Sequence, residues 1–354
     1  MNGFWSSLPL WLLGLSFALA AAAVWAAGIT LSNTTTVLDK QFKLSAALGG
    51  LILLAVATNL PEIAITLSAA LQHNLDLAIG NILGGIAVQT LVLAALDAFG
   101  LGRRAALTAT SGSLTPVLEG TLVIAVLMGV VMGAQLPGTA VLGRLEPGSL
   151  LVALLWGVGL WGIGQASKLP WHLDGPPSET PPQPAKQGKQ GGAPMSTRRA
   201  ALGFAFAALV TLGAGWVLAL SGGALAQHFQ LSGVLFGATV LAVVTSLPEL
   251  STGLAAVRQG KIELALGDIF GGNAFLPVLF LAASLISGQA VLVQLQPTDL
   301  YLTALGALLT AVYVFGLVLR RTRQWGRMGV DSWTVVGLYL IGVGGLWLIS
   351  RSGG

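Results

Sequence analysis

Cysteine is absent from this chain of 354 residues, and charge is scarce: 8% of the residues are Asp, Glu, Lys or Arg. Without cysteine there are no disulfides, thiolate metal centres or thiol nucleophiles, and the redox compartment is left open. Soluble domains carry charge on about a quarter of their residues. A soluble fold with so little charge and 55% hydrophobic residues would expose too much apolar surface. Lipid must therefore be the solvent for most of the chain. The three histidines, His73, His172 and His228, fall outside the apolar runs and read as ordinary interfacial or loop residues. Walker A, H-E-x-x-H and G-x-S-x-G sequences are missing, which speaks against ATP-driven pumping, and no nucleophile–base pair marks an enzyme. The net charge of +4 does not point to nucleic acid, because the basic residues lie between apolar runs, where positive charge sets membrane orientation.

What is present is a series of apolar stretches, each long enough to cross roughly 30 Å of hydrocarbon. They fall at about 5–27, 45–71, 76–99, 115–134, 149–165, 200–220, 231–257, 263–287, 300–319 and 332–350. The first is read as a retained span, since its leader MNGFWSSLP lacks the Lys or Arg of a signal peptide. With the N-terminus outside, every Lys and Arg except Arg144 and Arg351 falls on the inner side, as the positive-inside rule requires. The expected fold is all-α and polytopic, with about ten spans and both termini outside the cell membrane. Residues 166–198, rich in Pro, Gly, Gln and Lys, cannot bury a core and read as a disordered cytoplasmic linker.

The strongest signal is an internal repeat. Leu54 to Ala87 aligns without gaps to Leu241 to Ala274, at an offset of 187 residues and with 17 identities in 34 positions. Five spans separate the copies, so the second enters the membrane upside down. The expected organisation is a first five-helix repeat over 1–165, with its conserved-looking unit near 45–99, and a second over 199–354, with its unit near 231–287. Two opposed copies of one helix pair can build a midplane site that opens to either side at similar cost.

The repeat carries chemistry. Glu62 and Glu249 lie inside apolar spans, where an ionised carboxylate costs roughly 2.5–3.5 kcal/mol on insertion scales. One such acid could simply tie helices together; two at matching positions read as a cation site. Each follows a proline. Pro61 and Pro248 have no amide hydrogen, so the carbonyls of Ala57 and Val244 lose their helical partners. Thr58 and Glu62, and likewise Thr245 and Glu249, are four residues apart and share a helix face. Carboxylate, hydroxyl and loose carbonyl are hard oxygen donors, which suit Ca²⁺ or Na⁺ over soft metals. In the following span, Asn81, Gly84 and Gly85 match Asp268, Gly271 and Gly272. The glycines allow close approach of either a helix or an ion. Asp268 is either a third carboxylate of the site or a charge at a helix start. Asp97 is expected near Arg103 and Arg104, and Glu119 is expected to face headgroups or an arginine.

These residues resemble the calcium/cation antiporter superfamily, which includes the sodium/calcium exchangers and has two inverted repeats of the form [GA]-T-S-L-P-E followed by G-N/D-x-x-G-S-N. Here the copies read A57-T-N-L-P-E62 with G80-N-I-L-G-G-I-A-V-Q89, and V244-T-S-L-P-E249 with G267-D-I-F-G-G-N-A-F-L276. The resemblance implies a secondary antiporter without a cofactor. It would move Ca²⁺ in exchange for Na⁺ or H⁺, with inorganic cations and the lipid bilayer as its partners, no nucleic acid, and an oligomeric state left open. It implies Thr58, Glu62, Thr245, Ser246 and Glu249 as cation ligands, with positions 85, 89, 272 and 276 as their partners in the next helices. The sequence departs from the family at Asn59, Gly85, Gly272, Gln89 and Leu276. These changes remove oxygen donors and argue against a load of several Na⁺ per Ca²⁺. Two alternatives follow from them: an exchanger of another cation (monovalent, Mg²⁺ or Mn²⁺), or a non-transporting subunit or sensor with a degenerate site.

Overall fold

Proline sets the architecture around the repeat. A computed structural model describes residues 2–42, 54–101, 105–137, 145–166, 196–231 and 233–352. The short helix Ala55–Thr58 stops at Asn59 (φ −83°, ψ 11°), and α2 (Leu60–Leu71) restarts with Pro61 in its first turn. Proline is tolerated there because the first-turn amides have no intrahelical partner to lose. The second copy repeats the break: Ala242–Thr245 stops at Ser246 (φ −80°, ψ 3°), and α7 (Leu247–Arg258) begins with Pro248. Each break therefore creates a helix N-terminus with Glu62 or Glu249 in its first turn, where the helix dipole favours negative charge.

The remaining long helices are α1 (Leu10–Phe42), α3 (Leu75–Leu96), α4 (Thr115–Ala134), α5 (Pro147–Ala166), α6 (Thr197–His228), α8 (Ile262–Phe275, continued by Leu276–Val278 and Leu279–Ser287), α9 (Pro297–Leu319) and α10 (Val330–Ser352). Among the described residues, nine helical segments are long and apolar enough to cross a membrane, and α2 is a shorter apolar helix. The first nine residues of the expected second span lie outside the described residues, as does most of the expected linker. Two boundaries differ from the sequence reading. Helix α1 runs on to Phe42, well past residue 27, and α6 runs to His228, past residue 220. Helix length is not limited by the hydrocarbon, because polar turns can project into the headgroup layer.

The most enclosed span is the one built on α3, 83% buried, against 17% for α5 and 22% for α10. The main apolar core joins α3 (Ile82, Leu83, Ile86), α4 (Val126, Leu127), α8 (Phe270) and α9 (Tyr313). Large apolar side chains stay exposed on the outer helices: Trp161 on α5, Phe206 on α6, Phe315 on α9 and Ile341 on α10. In water such a surface would aggregate; against lipid tails it is the expected finish.

Residues at the 187-residue offset make equivalent contacts across the molecule. A Cβ on Gly28 of α1 would come within 3.0 Å of Pro248, and one on Gly215 of α6 within 3.1 Å of Pro61 Cα. Each long helix thus crosses the proline break of the other half, and only glycine permits that approach. The repeat visible over 34 positions therefore extends into the first helix of each half. Asn273 even meets its own counterpart, donating from Nδ2 to the carbonyl of Ile86 at 3.4 Å.

Candidate functional site

The two helix breaks bring Glu62 and Glu249 together. Both are fully buried. Gln89 of α3 lies between them, and its Nε2 donates to Glu62 Oε1 (3.4 Å), Glu249 Oε1 (3.4 Å) and Asn59 Oδ1 (3.1 Å). The threonines cross over: Thr58 faces Glu249, and Thr245 faces Glu62. Each glutamate keeps its Oε2 without a hydrogen-bond partner, and so does Gln89 at Oε1. Buried polar atoms are nearly always paired, and an unpaired buried oxygen costs about 1–3 kcal/mol, more for a charged group. Three such acceptors around one point suit a positive guest.

The other expected site residues fall into place around this pair. Asn59 Nδ2 donates to the Ala55 carbonyl at 2.6 Å, and Ser246 Oγ to the Ala242 carbonyl at 2.7 Å. Both side chains are buried, and their remaining oxygen lone pairs are free to turn inward. Pro61 and Pro248 leave the Ala57 and Val244 carbonyls without their usual helical donors. Asp268 is fully buried, but both its oxygens are taken: Thr58 Oγ1 donates to Oδ1 at 3.0 Å and Thr252 Oγ1 to Oδ2 at 2.7 Å. It stands behind Thr58 and is not a surface charge at a helix start. Among the described residues no three acidic or histidine side chains cluster closely enough to hold a metal by themselves. A bound cation would draw on amide and hydroxyl oxygens as well.

The two glycines differ. A Cβ on Gly272 would lie 2.5 Å from Asn59 Nδ2 and 3.3 Å from Gln89 Oε1, whereas a Cβ on Gly85 would meet only Leu276 Cδ1 at 3.6 Å. Gly272 is thus the space that Asn59 needs. The serine-to-asparagine change at 59 and the serine-to-glycine change at 272 compensate one another in volume. Beside Gly85, Leu276 is fully buried and closes that flank of the site with an apolar side chain.

Two polar residues were not singled out by the sequence. Thr252, which holds Asp268, replaces Ile65 of the first copy, and Asn273 replaces Ile86. Asn273 Nδ2 also reaches Thr90 Oγ1 at 3.1 Å. Asn81 is fully buried with both side-chain atoms unpartnered. A polar residue at only one of two matched positions was the available signal. Asp97 is held by the amides of Leu107 and Gly329 and by the Ser332 hydroxyl, each at 2.7 Å; its expected neighbours Arg103 and Arg104 lie outside the described residues. One expectation is corrected: Glu119 is 1% exposed with Oε2 unpartnered, and its charged neighbour among the described residues is Glu263.

Comparison with known proteins gives the family and the fold. The family model described as sodium/calcium exchanger protein matches residues 11–163 and 199–348. The inner membrane protein YrbG of Escherichia coli (strain K12) is 29% identical over 250 residues, covering 70% of this chain and 71% of the relative. A protein of Alkalimonas amylolytica named as a candidate antiporter, CaxA, is 30% identical over 254 residues, covering 71% of this chain and 73% of the relative. Among solved structures, the sodium-calcium exchanger NCX_Mj superimposes with a TM-score of 0.59 at 17% identity, covering 94% of this chain and 98% of the other. Native YfkE superimposes with a TM-score of 0.64 at 15% identity, covering 98% and 99%. These likenesses establish the fold as that of a polytopic α-helical membrane transporter.

Proposed function

The chain belongs to the sodium/calcium exchanger protein family, a family of cation antiporters and not of enzymes, and on that premise we propose that it carries Ca²⁺ in exchange for Na⁺ or H⁺ by alternating access around Glu62 and Glu249. The observation that carries this reading is the buried acid pair itself. Two carboxylates from the two halves converge on one amide, each with an oxygen left over. The groups around them are amides, hydroxyls and a further acid. A pair of carboxylates in a low-dielectric interior demands compensating positive charge. One divalent cation, two monovalent cations or two protons supply it, and exchange among these keeps the pair neutral at every stage.

The oxygen count supports one cation at a time. Ca²⁺ takes six to eight oxygens. Glu62, Glu249, Thr58, Thr245, Ser246, Asn59 Oδ1 and Gln89 Oε1 can provide that number, with Ala57 and Val244 carbonyls in reserve. Several Na⁺ together would need oxygens on the flank that Leu276 closes. The donor count therefore favours protons as the counter-ion. The Gln89 NH₂ group lies between the carboxylates as a weak substitute for positive charge, and the same amide turned about would present Oε1 to a cation.

The two halves act as inverted five-helix repeats over 1–165 and 199–354. The positive-inside rule places both termini outside and the 166–198 linker in the cytoplasm. The test is flux: protein reconstituted in liposomes takes up ⁴⁵Ca²⁺ when an opposing Na⁺ or H⁺ gradient is imposed, and Glu62→Gln or Glu249→Gln abolishes it. Absence of gradient-driven flux of any cation from folded protein sinks the antiporter reading. Flux that survives both substitutions moves the site elsewhere. The second reading is a different cargo, monovalent, Mg²⁺ or Mn²⁺, and Leu276 beside Gly85 favours it. A competition series across these ions that shows clear preference for Ca²⁺ removes it.

A further inference from the structure

We propose that Asp268 is a positioning residue for the cation site: it takes the single hydroxyl hydrogen of Thr58, so that the Thr58 oxygen turns only lone pairs toward a cation beside Glu249. This rests on the antiporter reading above. Thr58 has one hydrogen and faces Glu249; away from that acid three acceptors compete for the hydrogen, Asp268 Oδ1 at 3.0 Å, the Leu54 carbonyl at 3.1 Å and the Ala55 carbonyl at 3.2 Å. A carboxylate is the strongest acceptor of the three. The Ala55 carbonyl is also already engaged by the backbone amide of Asn59 at 3.2 Å and by its side chain at 2.6 Å. Thr252 fixes the other Asp268 oxygen at 2.7 Å, so the carboxylate cannot rotate away. A hydroxyl left free would point its hydrogen at Glu249, the better acceptor in front of it, and oppose a cation there.

The device exists in one half only. Asn81 occupies the matching position and has no partner for either side-chain atom. Thr245, the counterpart of Thr58, has the Ala242 carbonyl of its own helix at 3.3 Å and Glu62 in front of it, with Asn81 and no carboxylate at the position matching Asp268. The two threonines, alike in sequence, are therefore unequal as ligands, and the cation is held more firmly on the Thr58 side.

The experiment measures ⁴⁵Ca²⁺ binding to the purified full-length protein, with Na⁺ and Mn²⁺ as competitors. Asp268→Asn and Thr58→Val are each expected to weaken binding about tenfold, and the double variant to be no weaker than either alone, because both remove the same oriented oxygen. Thr245→Val is expected to lose less than Thr58→Val. Additive losses in the double variant would mean that Asp268 acts as a bulk charge and not through Thr58, and overturn the proposal; so would an Asp268→Asn variant that binds as the wild type does. Asp268→Ser, which also deprives Thr58 of the carboxylate, is read in its place if Asp268→Asn does not elute as folded protein. If the wild type itself binds none of these cations, the antiporter reading fails and this proposal goes with it. Loss confined to the variants concerns Asp268 alone.

Discussion

Gly272 and Asn59 should be separable only as a pair. Replacing Gly272 by serine restores the residue usual in the family but places a Cβ 2.5 Å from Asn59 Nδ2. The amide must then leave its place, and with it go the 2.6 Å bond to the Ala55 carbonyl and the 3.1 Å bond accepted from Gln89. Each lost bond in a buried site costs about 1 kcal/mol, and overpacking adds about 1–3 kcal/mol. Gly272→Ser should therefore destabilise by about 3–5 kcal/mol. Asn59→Ser in the same chain removes the obstructing amide and should recover about 2 kcal/mol of that loss, a coupling typical of residues in direct contact. Gly85→Ser is the internal control. Its Cβ meets only Leu276 Cδ1 at ordinary van der Waals distance, and the added hydroxyl can bond back to a carbonyl of its own helix, so the cost should stay below about 1 kcal/mol. Thermal unfolding in detergent, followed by monodisperse elution, reads all three variants against the wild type. A Gly272→Ser protein that melts with the wild type, or a double variant no more stable than Gly272→Ser alone, would refute the volume argument.

Two further substitutions probe the buried acids outside the site. Asp97→Ala strands the amides of Leu107 and Gly329 and the Ser332 hydroxyl, and should cost about 3 kcal/mol or more; an unchanged melting temperature would show that these donors find other partners. Glu119→Met replaces an acid with one unpartnered oxygen beside Glu263 by an apolar side chain of similar length. Replacing uncompensated buried charge in this way is neutral or stabilising, so the melting temperature should hold or rise by about 2 °C with cation uptake retained. Lost uptake from a stable Glu119→Met protein would place this acid on the ion path.

The fold was legible because lipid imposes one rule on every span, and apolar length reports it directly. The helix ends were less legible: α1 and α6 extend beyond their apolar stretches, and nothing in hydropathy marks where a helix stops once it leaves the hydrocarbon. The acid pair and its threonines were readable from the Leu-Pro-Glu repeat, since proline fixes where the helix restarts and therefore where the glutamate points. What the motif could not reveal was the way departures from it combine. Asn59 and Gly272 are far apart in the chain and look like two separate losses, yet in space one fills the room left by the other. Asp268 could be read as a ligand or as a surface charge; the structure buries it, and Thr252, a residue outside the motif, engages its second oxygen.

Burial of carboxylates in this protein follows two patterns, one with every partner supplied by the protein and one without. Asp97 receives three donors, from Leu107, Gly329 and Ser332. Glu146 receives four, from Ser149, Ser284, Val291 and Val293. Asp97 and Ser284 stand at the repeat offset of 187, so the two acids tie the halves together at related places with acid and hydroxyl exchanged. These clamps are complete within the protein, and an added ion would have nothing to satisfy. Glu62 and Glu249 are as deeply buried, yet each leaves an oxygen empty and shares one long amide contact. An acid whose partners are all built in is fixed in charge and position. An acid whose last partner is missing can exchange it, and an antiporter requires that of its site and must avoid it in the joints that hold the site together.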